Sequence, residues 1–204
     1  MTPPLDHEID QPDGGHALSA AVPTSPEDRP VFRLAQLTVL LEIMGEETIA
    51  VQTVDRLGFY DFFSANPFVV VSGDDKRDAA DRLTLRLAGF SSRQLSYAST
   101  GQRFVSRRRR LQHDLALLIA YGVAEIGSSG YTLTASGREL AAGLTSVYAE
   151  AYRDAARVVL RRLRRLSDRQ LRQQADEWLG KSWLLIDVLD DVAETTPARR
   201  RRAR

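Results

Sequence analysis

The chain predicts a mainly α fold: a winged helix-turn-helix with a small β-hairpin wing and a helical C-terminal extension. Three observations predict it. Leu111, Leu115, Leu118 and Ile119 recur at helical spacing, which gives a central helix one apolar face. Gly122 follows where a helix end commonly carries a glycine. Two short alternating runs, residues 123–126 and 131–134, then flank Gly127-Ser-Ser-Gly130, which reads as a hairpin loop. A further helix opens after Leu133-Thr-Ala-Ser-Gly137.

Upstream, the elements follow in order. Residues 31–44 read as a first helix, apolar on more than one side and therefore buried, with Gly45 ending it. Residues 48–65 read as a second helix, crowded with aromatics and stopped by Asn66-Pro67. Residues 68–71 form an apolar run that reads as a strand or an extended segment. Residues 76–87 read as a third helix ending at Gly89, and residues 90–102 as a polar connector with Leu95 and Tyr97 as anchors. After the hairpin, one long helix is expected from about Ser136 to Leu166. Ser167-Asp-Arg-Gln170 has the form of a capping box and predicts another helix. A last short helix is expected over 182–192. Four regions result: an acidic disordered leader (1–30), the winged-helix-like domain (31–140), the helical extension (141–194) and a basic tail (195–204).

Composition narrows the function classes. The chain of 204 residues contains no cysteine, which excludes a disulfide framework, Cys-ligated zinc and thiol catalysis. No apolar run approaches the roughly 20 residues that span a bilayer, and the N-terminus lacks the charge and apolar core of a signal peptide. A cytoplasmic protein with no membrane partner is expected. The net charge of +1 is unevenly placed. Six acids face one Arg in residues 1–30, and the last six residues hold five Arg. Between the tails, 21 acids and 22 bases nearly balance, so any basic surface must be local.

Nothing in the chain points to catalysis. Of the three histidines, His7 and His16 lie in the leader and only His113 in a structured region. No metalloprotease, phosphate-loop, dinucleotide or nucleophile-elbow pattern occurs. Asp74-Asp75 and Asp190-Asp191 are adjacent carboxylates, which point apart on a helix. No enzyme activity, cofactor or metal is expected.

The arginines are the candidate binding groups. Arg103, Arg107, Arg108, Arg109 and Arg110 are expected to precede or open the central helix. Cations at a helix N-terminus are unfavourable by roughly 0.3–1 kcal/mol each. Such a cluster makes sense beside an anion: a DNA phosphate, or an acidic protein surface. The alternative is neutralisation within the chain, by Asp74 and Asp75 or the leader. Gln112 and His113 follow on the same helix and would face the same partner. The wing loop Gly127–Gly130 carries no Lys or Arg, which weakens a DNA reading. Asp55 and Asp61 read as surface acids or cap partners, with a role in orienting these arginines as the alternative. A second set, Arg157, Arg161, Arg164 and Arg165 with Arg153, shares one helical face and has few acids close in sequence. Trp178 and Trp183 are interface anchors or core residues. On this view, replacing Arg107–Arg110 with Gln would abolish binding without lowering the melting temperature.

With these residues assembled, the chain resembles the middle components of bacterial ABC-three-component systems. The carrying stretches are RLAQLTVLLEIMG, VDRLGFYDFFSANPFVV, LRLAGF, YASTGQRFVSRRRRLQHDLALLIAYGVAEI and GYTLTASG, over about residues 31–140. The resemblance implies a non-enzymatic winged-helix-like adaptor. It would act beside an SMC/Rad50-like ATPase and a third component, in defence against foreign DNA, with DNA as a further partner. The alternative is a transcriptional regulator that reads DNA through the central helix, as a homodimer through residues 138–190.

Overall fold

The computed structural model describes residues 26–51, 53–91 and 100–180. Within them the protein is mainly helical with one two-stranded antiparallel sheet. A 3-10 turn at Pro26–Asp28 leads into α1 (Pro30–Glu46). Then come α2 (Val54–Ala65), α3 (Lys76–Leu87), α4 (Thr100–Ala120), β1 (Ala124–Gly127), β2 (Gly130–Leu133), α5 (Ala135–Gly143), α6 (Val147–Leu163) and α7 (Asp168–Leu179). The expected disordered leader is corrected at its end, where Pro26–Asp28 is ordered against α1. The rest of the leader, the anchors Leu95 and Tyr97, Trp183, the helix expected over 182–192 and the basic tail lie outside the described residues.

Several boundaries differ from the sequence reading, each for a local reason. α1 runs through Gly45, and Thr48 takes the left-handed turn that closes it, at φ 54°. α2 therefore starts six residues later than expected, at a cap where the Thr53 hydroxyl accepts from the Arg56 N–H. Between the two helices Val51 bridges to Gly130 in parallel, accepting from the Tyr131 N–H at 3.4 Å. The apolar run after Pro67 is a 3-10 turn rather than a strand. The long helix expected after the hairpin is two. α5 stops at Gly143, and Ser146 caps α6 by accepting from the Ala149 N–H. The capping box at Ser167 and Gln170 forms as read, with both reciprocal bonds, and opens α7.

The hairpin also forms, with Glu125 opposite Thr132 and Ile126 opposite Tyr131, but each strand lies one residue nearer the turn than read, and Gly127 pairs with Gly130 instead of sitting in the loop. Gly122 precedes it with φ 69°, a left-handed residue ending α4 where a side chain would be strained. The core is one continuous cluster that includes residues on both sides of position 141. α6 packs against α1, α2 and α3. Its inward residues Ala155, Ala156, Val159 and Leu160 are fully buried, so the backbones approach closely. Aromatics fill the middle. Phe104 of α4 stacks on Phe59 of α2 at 5.2 Å and meets Phe62 edge-on at 5.3 Å. No described helix is long and apolar enough to cross a membrane.

Candidate anion-binding site

Of the five arginines of α4, only Arg103 lies near its mouth. α4 begins at Thr100, so Arg107–Arg110 sit at about its third turn, away from the helix-dipole penalty that motivated an external anion. Their carboxylate partners come from the same chain. Arg103 meets Glu27 at 3.0 Å, Arg108 meets Asp55 at 2.8 Å, and Arg110 meets Asp28 at 3.2 Å. Arg107 is buried. Its Nε and Nη2 grip both oxygens of buried Asp61, at 2.5 and 2.7 Å, and Nη2 also donates to Gln36 Oε1 at 2.8 Å. Burial works against the charge on Arg107, but the Asp61 carboxylate outweighs it and holds the guanidinium above its ordinary range.

The expectation of an uncompensated cluster is thus overturned, and with it the physical ground for an external anion there. Neutralisation comes from the end of the leader and from α2. Asp55 and Asp61 orient arginines rather than serving as plain surface acids. Asp75 instead caps α3 by accepting from the Asp78 N–H. Arg107 is too buried to reach a partner. Arg109, Gln112 and His113 are exposed on the outer face of α4. Asp114, two positions from Gln112, is buried in a bidentate pair with Arg33, at 2.6 and 2.9 Å.

Four of the five in the second set, all but Arg165, are compensated in the same way. Few acids are near it in sequence, yet many are near it in space. Arg153 meets Glu42 at 2.9 Å and Glu150 at 2.8 Å, and caps α5 by donating to the Ala141 and Leu144 carbonyls. Arg157 meets Glu46 at 3.2 Å, Arg164 meets Glu47 at 3.0 Å, and Arg161 meets Asp81 at 2.6 Å. Asp168, near the set in sequence, turns away to Arg56.

One cleft among the described residues gathers unmatched positive charge. Where α3, α6 and α7 meet, a cleft of about 230 Å³ is lined by Arg77, Arg161, Arg162, Arg165, Gln174 and Trp178. Of its four guanidiniums, only those of Arg161 and Arg162 pair with the two nearby carboxylates, Asp78 and Asp81. Arg162 binds both, each at 2.5 Å. Burial pulls Arg162 down, but these two bonds more than reverse it and leave its pKa raised. Arg165 and Arg77 are exposed and make no ion pair among the described residues. Trp178 closes one side, its ring edge-on to Phe63 at 5.3 Å. The cleft can take a phosphate or carboxylate with a flat apolar group against the indole. Of the residues singled out from sequence, Arg161, Arg165 and Trp178 reach it. Arg157, Arg164 and the α4 set do not line it. Arg77 and Gln174 were missed, because nothing in their local pattern marks them.

A buried polar group lies beside Arg107. Burial pushes the Tyr152 hydroxyl well above its ordinary pKa of 10.0 and pushes Tyr148 up too. Both raised values mean that the folded state holds its phenol protons after the unfolded chain releases them. Their contribution is therefore complete below pH 10 and is lost as pH rises through the folded values. Urea midpoints measured from pH 8 upward should fall beyond about pH 10, and Tyr152→Phe should flatten part of that fall. An unchanged slope in the variant would assign it to other groups.

The described fold is a mainly helical protein carrying a hairpin and a basic cleft between three helices. No protein-family model, no curated protein and no solved structure matches this chain.

Proposed function

We propose that the protein is a non-enzymatic adaptor with a winged-helix-like core, the middle subunit of a three-component system. Its partners are an SMC/Rad50-like ATPase and a third component, acting in the cytoplasm against foreign DNA. Support for the core is the order of elements: α1, the bridge at Val51, α2 to α4, then the hairpin. The observation that carries adaptor over DNA reader is the pairing of the α4 arginines with Glu27, Asp28, Asp55 and Asp61. A helix whose cations are already matched has less to offer a phosphate backbone. The Ser128-Ser129 turn adds no cation. The cleft between α3, α6 and α7 then serves as the acidic partner's contact.

Co-expression with the ATPase encoded beside it provides the test. The complex should co-purify, and Arg77→Gln with Arg165→Gln should weaken it about tenfold, or roughly 1.4 kcal/mol. Both residues are exposed, so the melting temperature should hold. Sequence-specific binding of the isolated protein to its own upstream DNA, falling steeply with salt, would instead establish the regulator. One feature favours that second reading. Ser106, Arg109, Gln112 and His113 face outward from α4 and are of the kinds that reach base edges. In that reading the protein binds as a homodimer through residues 138–190.

A further inference from the structure

The N-terminal halves of α1 and α6 do not close on each other. Between them lies a cavity of about 160 Å³ with an almost wholly apolar wall, including Phe32, Val39 and Leu144. Four polar side chains interrupt it: Gln36, Ser146, Tyr148 and Tyr152, with the Ser146 hydroxyl already accepting from the Ala149 N–H as the cap of α6. Gln36 is committed at both ends. Its Oε1 accepts from Arg107 Nη2 at 2.8 Å, and its Nε2 donates to the Tyr148 hydroxyl oxygen. That bond leaves the Tyr148 proton available to donate. Tyr152 is 1% exposed, and its hydroxyl has no hydrogen-bond partner. Buried hydroxyls rarely stay single, and an orphan of this kind calls for an occupant.

We propose that this cavity binds a small uncharged molecule, about the size of one aromatic ring, whose single acceptor oxygen takes the proton of Tyr152 or Tyr148. Size follows from the volume, since a cavity of about 150 Å³ lined by apolar side chains holds benzene. Neutrality follows from the charges behind the wall. Arg107 is matched by Asp61 and Arg33 by Asp114, each through two bonds. A carboxylate entering here would be buried without a counter-ion. The acceptor follows from the two phenols, which burial keeps protonated. This site is distinct from the basic cleft, and it stands whether or not the adaptor reading does.

Acetophenone, ethylbenzene and benzoate, titrated into the full chain and followed by amide chemical shifts, test the proposal. Acetophenone should bind about three- to tenfold tighter than ethylbenzene, the worth of one hydrogen bond, and benzoate should not bind. Tyr152→Phe should erase the preference and leave ethylbenzene affinity unchanged. Should that variant fail to fold, Tyr148→Phe at the half-open rim reads the same preference. No shift with acetophenone at about 10 mM, a free energy near −3 kcal/mol, would mean water is the only occupant and overturn the proposal. So would benzoate binding more tightly, or a preference that survives both variants.

Discussion

Asp61→Ala should destabilise the fold by about 3–5 kcal/mol, the usual consequence of removing one partner of a buried ion pair. Arg107 is 8% exposed and would be left with a buried charge, with one Nη already unpartnered. At about 2–4 °C per kcal/mol for a chain of this size, melting should fall by roughly 10 °C. Urea unfolding followed by circular dichroism measures it. The pair need not be a net stabiliser, because desolvating both charges offsets their attraction. Asp61→Leu combined with Arg107→Met should therefore recover most of the loss. A single variant within about 1 kcal/mol of the parent would show that the charge finds water. This outcome reverses the sequence-based expectation for Arg107–Arg110. Substituting that set with Gln should lower the melting temperature, chiefly through Arg107.

Gly137→Ala should cost about 1–3 kcal/mol, the range for a group forced into filled space. Gly137 sits in the first turn of α5. A Cβ there would lie 2.0 Å from the Val123 carbonyl oxygen, a backbone atom that cannot swing aside. The close approach is fixed by Thr134, whose hydroxyl donates to the Gly122 carbonyl at 2.6 Å and accepts from the Gly137 N–H at 3.0 Å. The Leu-Thr-x-x-Gly sequence thus ties the start of α5 to the end of α4. Gly45→Ala is the control. It lies inside α1 with no atom near the added carbon, and should stabilise by about 0.5–1 kcal/mol. Equal effects at both glycines would refute the steric account.

What could be read from the sequence was whatever local spacing encodes. The hairpin, α3, the Ser167 capping box and Gly122 as a helix end all depend on residues within a few positions of one another. Breaks inside apolar runs were harder. The break before Ser146, which caps α6, is marked only by Gly143 inside an otherwise helical pattern, and Thr48 takes a turn more common for glycine or asparagine. The electrostatics could not be read at all. Arg107 and Asp61 are 46 residues apart, and Arg110 and Asp28 are 82 apart. A charge run looks unmatched along the chain until folding brings distant carboxylates to it. The basic cleft has the same origin, since Arg77 and Arg165 meet only through the packing of α3 on α6.

The partners along α1 and α6 rise together: Phe32 with Tyr148, Glu42 with Arg153, Glu46 with Arg157. The two helices therefore run side by side in the same direction, with Leu37, Leu40 and Leu41 of α1 in the same core as Ala155, Ala156 and Val159 of α6. Apolar burial is non-directional and by itself discriminates little between this alignment and one slid by a turn, about 5.4 Å. The glutamates do discriminate, because each would then face the wrong rung. Charge order along these helices selects a single alignment from several that hydrophobicity alone would accept.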